Sequence, residues 1–158
     1  MENGSAMEME TTQIKGVSYA DRKTYVVLGA SAKLTIKEKI LTAEKQTAKT
    51  MFKVELKGKK SSVEVLSRSV AKNSSKQSFK SIVEGKNECF GHVECDGIVI
   101  DHGQITSTPE IKAMHIDSIL VHEAAIGKIA GDEIIKLQTL GLTEKEAEDA
   151  IIASFMLE

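Results

Sequence analysis

Between Thr24 and Val121, apolar and polar residues alternate in short runs, each closed by Gly, Asn or Lys. The runs are Tyr25–Leu28, Lys33–Glu38, Thr50–Leu56, Ser62–Ser67, Phe79–Val83, His92–Cys95, Ile98–Ile100, Lys112–Ile116 and Ser118–His122. Pairs such as Val54/Leu56 and Val63/Val65 carry the two-residue period of a half-buried strand. Strands recurring every ~8–12 residues predict a mainly β fold: a sandwich, barrel or solenoid. The absence of an exact repeat points away from a regular solenoid. The scarcity of aromatics and the single proline, Pro109, suit aliphatic rows stacked in a narrow one. Sandwich and solenoid both stay open on this pattern. Lys33–Met51 also fits helical spacing through Ile36, Ile40 and Ala43, but its threonines favour strand.

After Gly127 the period changes. Asp132 caps or opens a short helix in which Ile134, Leu137 and Leu140 share a side, and Gly141 suits the left-handed residue that ends it. Thr143 and Glu146 form a capping box for a second helix. There Ala147, Ile151 and Phe155 recur every four residues, with Ile152 and Met156 as a second ridge. That apolar width exceeds what packing on one neighbour requires: the surface either covers the open end of the β core or in part docks a partner.

A chain of 158 residues can bury a real core. Its net charge of −2 argues against nucleic-acid binding, which needs a basic excess. No window holds the ~20 apolar residues of a membrane helix. Residues 1–10 lack the basic and apolar segments of a signal peptide and read as a disordered leader or expression scar. The expected domains are thus a β core over 11–126 and a helical subdomain over 127–158. A cytoplasmic setting is expected, and in it the two cysteines are not a structural disulfide.

The residues able to carry chemistry are Cys89, Cys95, His92, His102, His115, His122 and Glu123. No C-x-x-C pair supports a closed zinc site. No P-loop, G-x-S-x-G or H-E-x-x-H motif supports nucleotide, ester or peptide hydrolysis. Cys89 reads as structural, His92 and His115 as surface residues or residues one layer behind a site, and Asp101-His102-Gly103 as a turn. Cys95 shares a face with Val93, while Asp96-Gly97 can turn the chain. A lone buried cysteine is ordinarily a small core residue. Cys95 and His122 lie 27 residues apart, about one coil of a wide solenoid, and in that fold they would stack. With Glu123 they would make a thiolate, imidazole and carboxylate set suited to iron or sulfur transfer. Adjacent residues of a straight strand point to opposite faces, so His122 and Glu123 converge only if the strand bends.

The stretch VHEAAIGKIAGDEIIKLQTLGLTEKEAEDAIIASF, from Val121 to Phe155, resembles the C-terminal signature of the SufB/SufD family of iron–sulfur cluster assembly proteins. The resemblance rests on His122, Ala124, Gly127-Lys128-Ile129, Asp132-Glu133, Leu137, Gly141-Leu142, Glu146-Ala147 and Ile152-Ala153-Ser154-Phe155. Upstream, Cys95–Asp101 (CDGIVID) is similar to the cysteine-bearing segment of SufB. The resemblance implies a right-handed parallel β-helix followed by a helical hairpin, and a role as scaffold for nascent iron–sulfur clusters. It implies three kinds of partner: a SufC-type ABC ATPase docking on the hairpin, a second SufB- or SufD-like subunit in a homo- or hetero-oligomer, and a sulfur donor protein. On that footing Cys95 accepts sulfur, and Cys95, His122 and Glu123 are the cluster ligands. Asp132, Ile134, Leu137, Ile151 and Phe155 form the docking surface. The chain departs from SufB at Val121, where the first glutamate of its Glu-His-Glu run would stand, and at Leu140, where the family has Arg. The alternative is a SufD-like adaptor that couples the ATPase to another subunit. Few aromatics and no secretion signal argue against a polysaccharide-acting β-helix.

Overall fold

Among the residues that the computed structural model describes, 1–13 and 18–157, nine strands wind into a parallel two-sheet β-solenoid. One sheet orders β1 (Ala6–Gln13), β3 (Lys33–Thr42), β5 (Ser61–Ala71), β7 (Cys89–Val99) and β9 (Ser118–Gly127). The other orders β2 (Tyr19–Leu28), β4 (Thr47–Leu56), β6 (Lys76–Gly85) and β8 (Gln104–Ala113). Each coil takes 27 to 29 residues: Ala6 pairs with Lys33, Lys33 with Ser62, Ser61 with Cys89 and Cys89 with Ser118. The β-solenoid implied by the family resemblance is thus the solution to the strand pattern, and Lys33–Met51 is strand rather than helix, broken by a turn over 43–46.

Strict alternation explains why the sheets face each other. Leu34, Ile36, Val63, Val65 and Val93 point inward from one sheet, and Phe52, Val54, Leu56, Phe79 and Val83 from the other; all are buried. The Phe52 and Phe79 rings meet at 5.9 Å between centroids, tilted by 54°. The in-register rows, such as Leu34–Val63–Gly91–Leu120, need only compatible volumes. Sequence identity between coils is therefore not required.

The corners do repeat. Glu44, Asn73 and Asp101 each take positive φ, at 55°, 58° and 56°, where one sheet hands over to the other. Asn73 Nδ2 donates to Asp101 Oδ2 at 3.2 Å, and its Oδ1 accepts from the Glu44 amide at 3.2 Å. Asn and Asp tolerate this conformation better than other side chains. On the opposite corner a Cβ on Gly58 would come within 2.0 Å of the Ala30 nitrogen. Gly58→Ala is therefore expected to destabilise the chain by at least ~2 kcal/mol through backbone displacement, read as a lower urea midpoint. An unchanged midpoint contradicts this stacking of corners.

Three expectations need correction. Residues 1–10, expected as a leader, include the first five residues of β1, which pairs with β3 and places Met9 against the core. The Met7/Met9 against Glu8/Glu10 alternation is a two-residue period hidden by a polar composition. Asp96-Gly97 is not a turn, because β7 runs through it. Asp96 points outward to Arg68 at 3.3 Å, while Gly97 faces inward and leaves room for Ile105. Of the expected strand Lys112–Ile116 only Lys112 and Ala113 are extended, as the end of β8, and the chain turns before Ser118.

The helices α1 (Gly131–Thr139) and α2 (Glu144–Leu157) follow β9. Asp132 sits in the first turn of α1, and Gly141 takes φ 99° after it. The capping box is present: Glu146 Oε2 accepts from the Thr143 amide at 2.8 Å, and the Glu146 amide donates to Thr143 Oγ1 at 3.3 Å. The hairpin does not cover the end of the solenoid; α2 folds back along its wall. The outward residues Leu41, Val70 and Ile98 form an apolar column across β3, β5 and β7, and Ile152, Phe155 and Met156 pack on it with Ile100 and Ile129. Lys72 Nζ to Glu148 at 2.7 Å and Lys39 Nζ to the Leu157 carbonyl at 3.1 Å fix its direction. No helix among the described residues is long and apolar enough to cross a membrane.

Candidate functional site

β7 and β9 carry the residues singled out for chemistry. Cys95 points into the solenoid and is 0% exposed. Its in-register neighbours are Ser67 below and Ala124 above. Burial pushes its thiol up against the opposing effect of the nearby Ser107 hydroxyl, and the carboxylates of Asp96 and Glu38 add to the rise. A thiol in this state is a weak nucleophile until the site opens or a base takes its proton.

His122 stands opposite Val93, two residues short of the position above Cys95. The local coil is 29 residues, from Cys89 to Ser118, not the 27 that would stack the two residues directly. An offset of two preserves strand parity, so His122 and Cys95 still share the inner face. Its Nε2 is buried with no hydrogen-bond partner, and burial, helped by the charge of His92, pushes its pKa down. The ring is thus held neutral around neutral pH.

Glu123 points the other way. β9 stays extended, so Glu123 lies on the outer wall, its side chain 66% exposed, 3.2 Å from His92 Nε2. The structure therefore brings Cys95 and His122 to one face and leaves Glu123 on the opposite one. His92, read as a surface residue or one layer behind a site, is the partner Glu123 finds. Glu94, in register with Glu123, completes a cluster whose ligand-type atoms all lie within 4.8 Å of one another.

Below Cys95 the interior is unusually polar. Glu38, in register with Ser67, is 2% exposed. It accepts hydrogen bonds from the Thr50 hydroxyl at 3.0 Å and the Ser67 hydroxyl at 3.2 Å. Burial raises its pKa to about 7, against the opposing effects of Thr50, Arg22 and Ser67. Arg22 Nε and Nη2 are also buried without hydrogen-bond partners, and Ser107 Oγ is buried with the Cys95 thiol as a polar neighbour. The inward alternation of Glu38, Ser67 and Cys95 was readable as strand pattern, but only the register shows that they form one row.

Above Cys95 the solenoid is open. Ala124 is the only in-register side chain between it and the final edge, and it is itself exposed. A 500 Å³ hollow beside it is lined by Gly97, Ile98, Ala124, Ala125, Ile126, Gly127 and Lys128. Large apolar side chains crowd the same end: Ile111, Met114, Ile119 and Val121 are exposed, and Ile116 is 96% exposed.

The expected docking residues divide. Ile134 lines a hollow against Ile100 and Ile129, and Phe155 packs on the wall, where the Arg68 guanidinium lies 5.2 Å from its ring centre. Asp132 is exposed, and Leu137 and Ile151 are half-buried. Ile135, Leu140 and Leu157, which were not among the expected residues, are the exposed large apolar groups of the hairpin among the described residues.

Residues 1–155 match the family model described as SUF system FeS cluster assembly, SufBD core domain. An iron-sulfur cluster assembly SufBD family protein of Methanothermobacter thermautotrophicus is 38% identical over 122 residues, covering 75% of this chain and 30% of the relative. One from Archaeoglobus fulgidus is 38% identical over 102 residues, covering 64% and 28%. One from Staphylococcus epidermidis is 27% identical over 135 residues, covering 83% and 29%. The chain thus spans about 30% of the length of the curated relatives it matches. With a parallel β-solenoid, a C-terminal helical hairpin and a family match along nearly its whole length, this chain belongs to the SufBD family of iron–sulfur cluster assembly proteins.

Proposed function

We propose that the chain serves as a scaffold subunit for iron–sulfur cluster assembly, taking up sulfur on Cys95. The observation that carries this reading is the placement of Cys95 and His122 on one inner face, one layer below the open end. The sulfur comes from a donor persulfide. Once the site opens, water relays the Cys95 proton across the two-residue offset to His122, and the thiolate attacks the donor's outer sulfur. The donor's S–S bond breaks, the donor leaves as a thiolate, and Cys95 holds the sulfur as a persulfide. A soft sulfur beside a neutral imidazole is a donor pair suited to iron.

The partners follow from the surfaces. The exposed apolar residues of the last coil, together with the unpaired edge of β9, favour a second subunit at the open end. The remaining cluster ligands would come from that subunit. A SufC-type ABC ATPase would dock on the hairpin, using Ile135, Leu140 and the 360 Å³ apolar hollow lined by Leu41, Ile152, Ala153 and Met156.

Anaerobic reconstitution with iron and sulfide tests the site. Cys95→Ser and His122→Ala are each expected to lose most of the cluster absorbance that the parent acquires. A second reading, a SufD-like adaptor, is favoured by the complete burial of Cys95 and its raised thiol. On that reading both variants bind as much cluster as the parent, and only hairpin substitutions such as Ile135→Glu have an effect, on ATPase capture.

A further inference from the structure

We propose that His92, Glu94 and Glu123 form a binding site for one divalent first-row transition ion on the outer wall of the five-stranded sheet. This site is separate from the interior thiol. The assignment of iron(II) as the natural ion rests on the cluster-assembly reading; the site itself does not.

The geometry comes from the sheet. His92 and Glu94 are two residues apart on β7 and so share its outer face, and Glu123 is the in-register neighbour of Glu94 on β9. Strands rather than a loop hold all three, which keeps the donors close without chain rearrangement. Their ligand atoms lie within 4.8 Å of one another, with His92 Nε2 and Glu123 Oε2 at 3.2 Å. Donors bound at about 2.1 Å from one ion sit about 3–4 Å apart, so small side-chain rotations complete the set.

The surrounding charge favours a cation. Glu64 on β5 is in register with His92, and Asp96 lies beside Glu94. Against these carboxylates the same patch offers Arg68, 3.6 Å from Glu94 and 3.3 Å from Asp96. One imidazole with two carboxylates selects iron, cobalt, zinc or manganese over magnesium and calcium, which prefer all-oxygen sites. Three protein donors leave positions open for water or for a ligand from another molecule. The wall of β7 then separates the two chemistries, with Cys95 inside and His92 and Glu94 outside.

Anaerobic titration of the metal-free chain with cobalt(II), followed by its visible absorption, is the test. One equivalent is expected to bind in the presence of excess magnesium, with bands of nitrogen and oxygen ligation and no sulfur-to-metal charge transfer. His92→Ala and Glu123→Gln are each expected to weaken binding by about tenfold or more. Cys95→Ser and His122→Ala are expected to leave it unchanged. Magnesium competition at equal concentration, retained affinity in His92→Ala, or loss of the bands in Cys95→Ser each overturns the proposal. Cobalt binding needs no sulfur, so failure here and failure of cluster reconstitution are separate results. Both substituted side chains are on the surface, and unchanged thermal midpoints would exclude unfolding as the cause of lost binding.

Discussion

Glu38→Gln is expected to stabilise the chain by about 3 kcal/mol above pH 7 and to change little below the ordinary carboxylate value. Glu38 is 2% exposed, and burial lifts its pKa from 4.5 to about 7 even though Thr50, Arg22 and Ser67 all favour the ionised form. Below 4.5 both folded and unfolded states hold the proton, and the residue contributes no pH dependence. Between 4.5 and about 7 the folded state keeps a proton that the unfolded state has released, so stability falls as pH rises. Above about 7 the full cost of a buried carboxylate is present. Gln keeps an oxygen for the Thr50 and Ser67 hydroxyls and cannot ionise. Urea midpoints across this range should therefore diverge between parent and variant as pH rises. Parallel profiles would mean that Glu38 ionises in the folded chain without cost.

Ala124→Leu is expected to slow the reaction of Cys95 with a thiol reagent by more than about tenfold, a loss of at least 1.4 kcal/mol of access. Ala124 is the in-register residue between the fully buried Cys95 and the open end, so a reagent that reaches the thiol when this end opens must pass it, and an isobutyl group there would obstruct the approach. Ala125→Leu adds the same volume on the outer face and should have no effect. Peptide mapping separates Cys95 from Cys89, which lies at the far end of β7. Equal rates in the two variants would show that reagents reach Cys95 by another route.

The strand pattern and the hairpin were legible in the sequence because both rest on local rules: two-residue alternation, a capping box and a glycine after α1. The choice of solenoid over sandwich was legible through the family resemblance, while the strand pattern by itself left both open. Coil-to-coil stacking needs matched volumes and repeated corner conformations at Glu44, Asn73 and Asp101, not repeated residues. β1 was hidden because Met7 and Met9 are flanked by acids, as in a solvated tail. The interval of 27 residues between Cys95 and His122 suggested direct stacking, but corner lengths set a local coil of 29. The common inner face survived only because the error was even. Glu123 was grouped with His122 through adjacency in the chain, whereas strand alternation places it with His92 and Glu94. The signal for that cluster was present in the sequence as an H-x-E pair on outward positions with an acid one coil on. Without the register, nothing identified that acid.

On the proposed function, sulfur arrives at Cys95 Sγ. The most direct test is the mass of the intact chain, and of its Cys95 peptide, after anaerobic incubation with a persulfide donor. The expected result is the addition of one sulfur atom at Cys95, absent in Cys95→Ser and reduced in His122→Ala. Sulfur added only at Cys89, or none added while the thiol reagent still reaches Cys95, would contradict it.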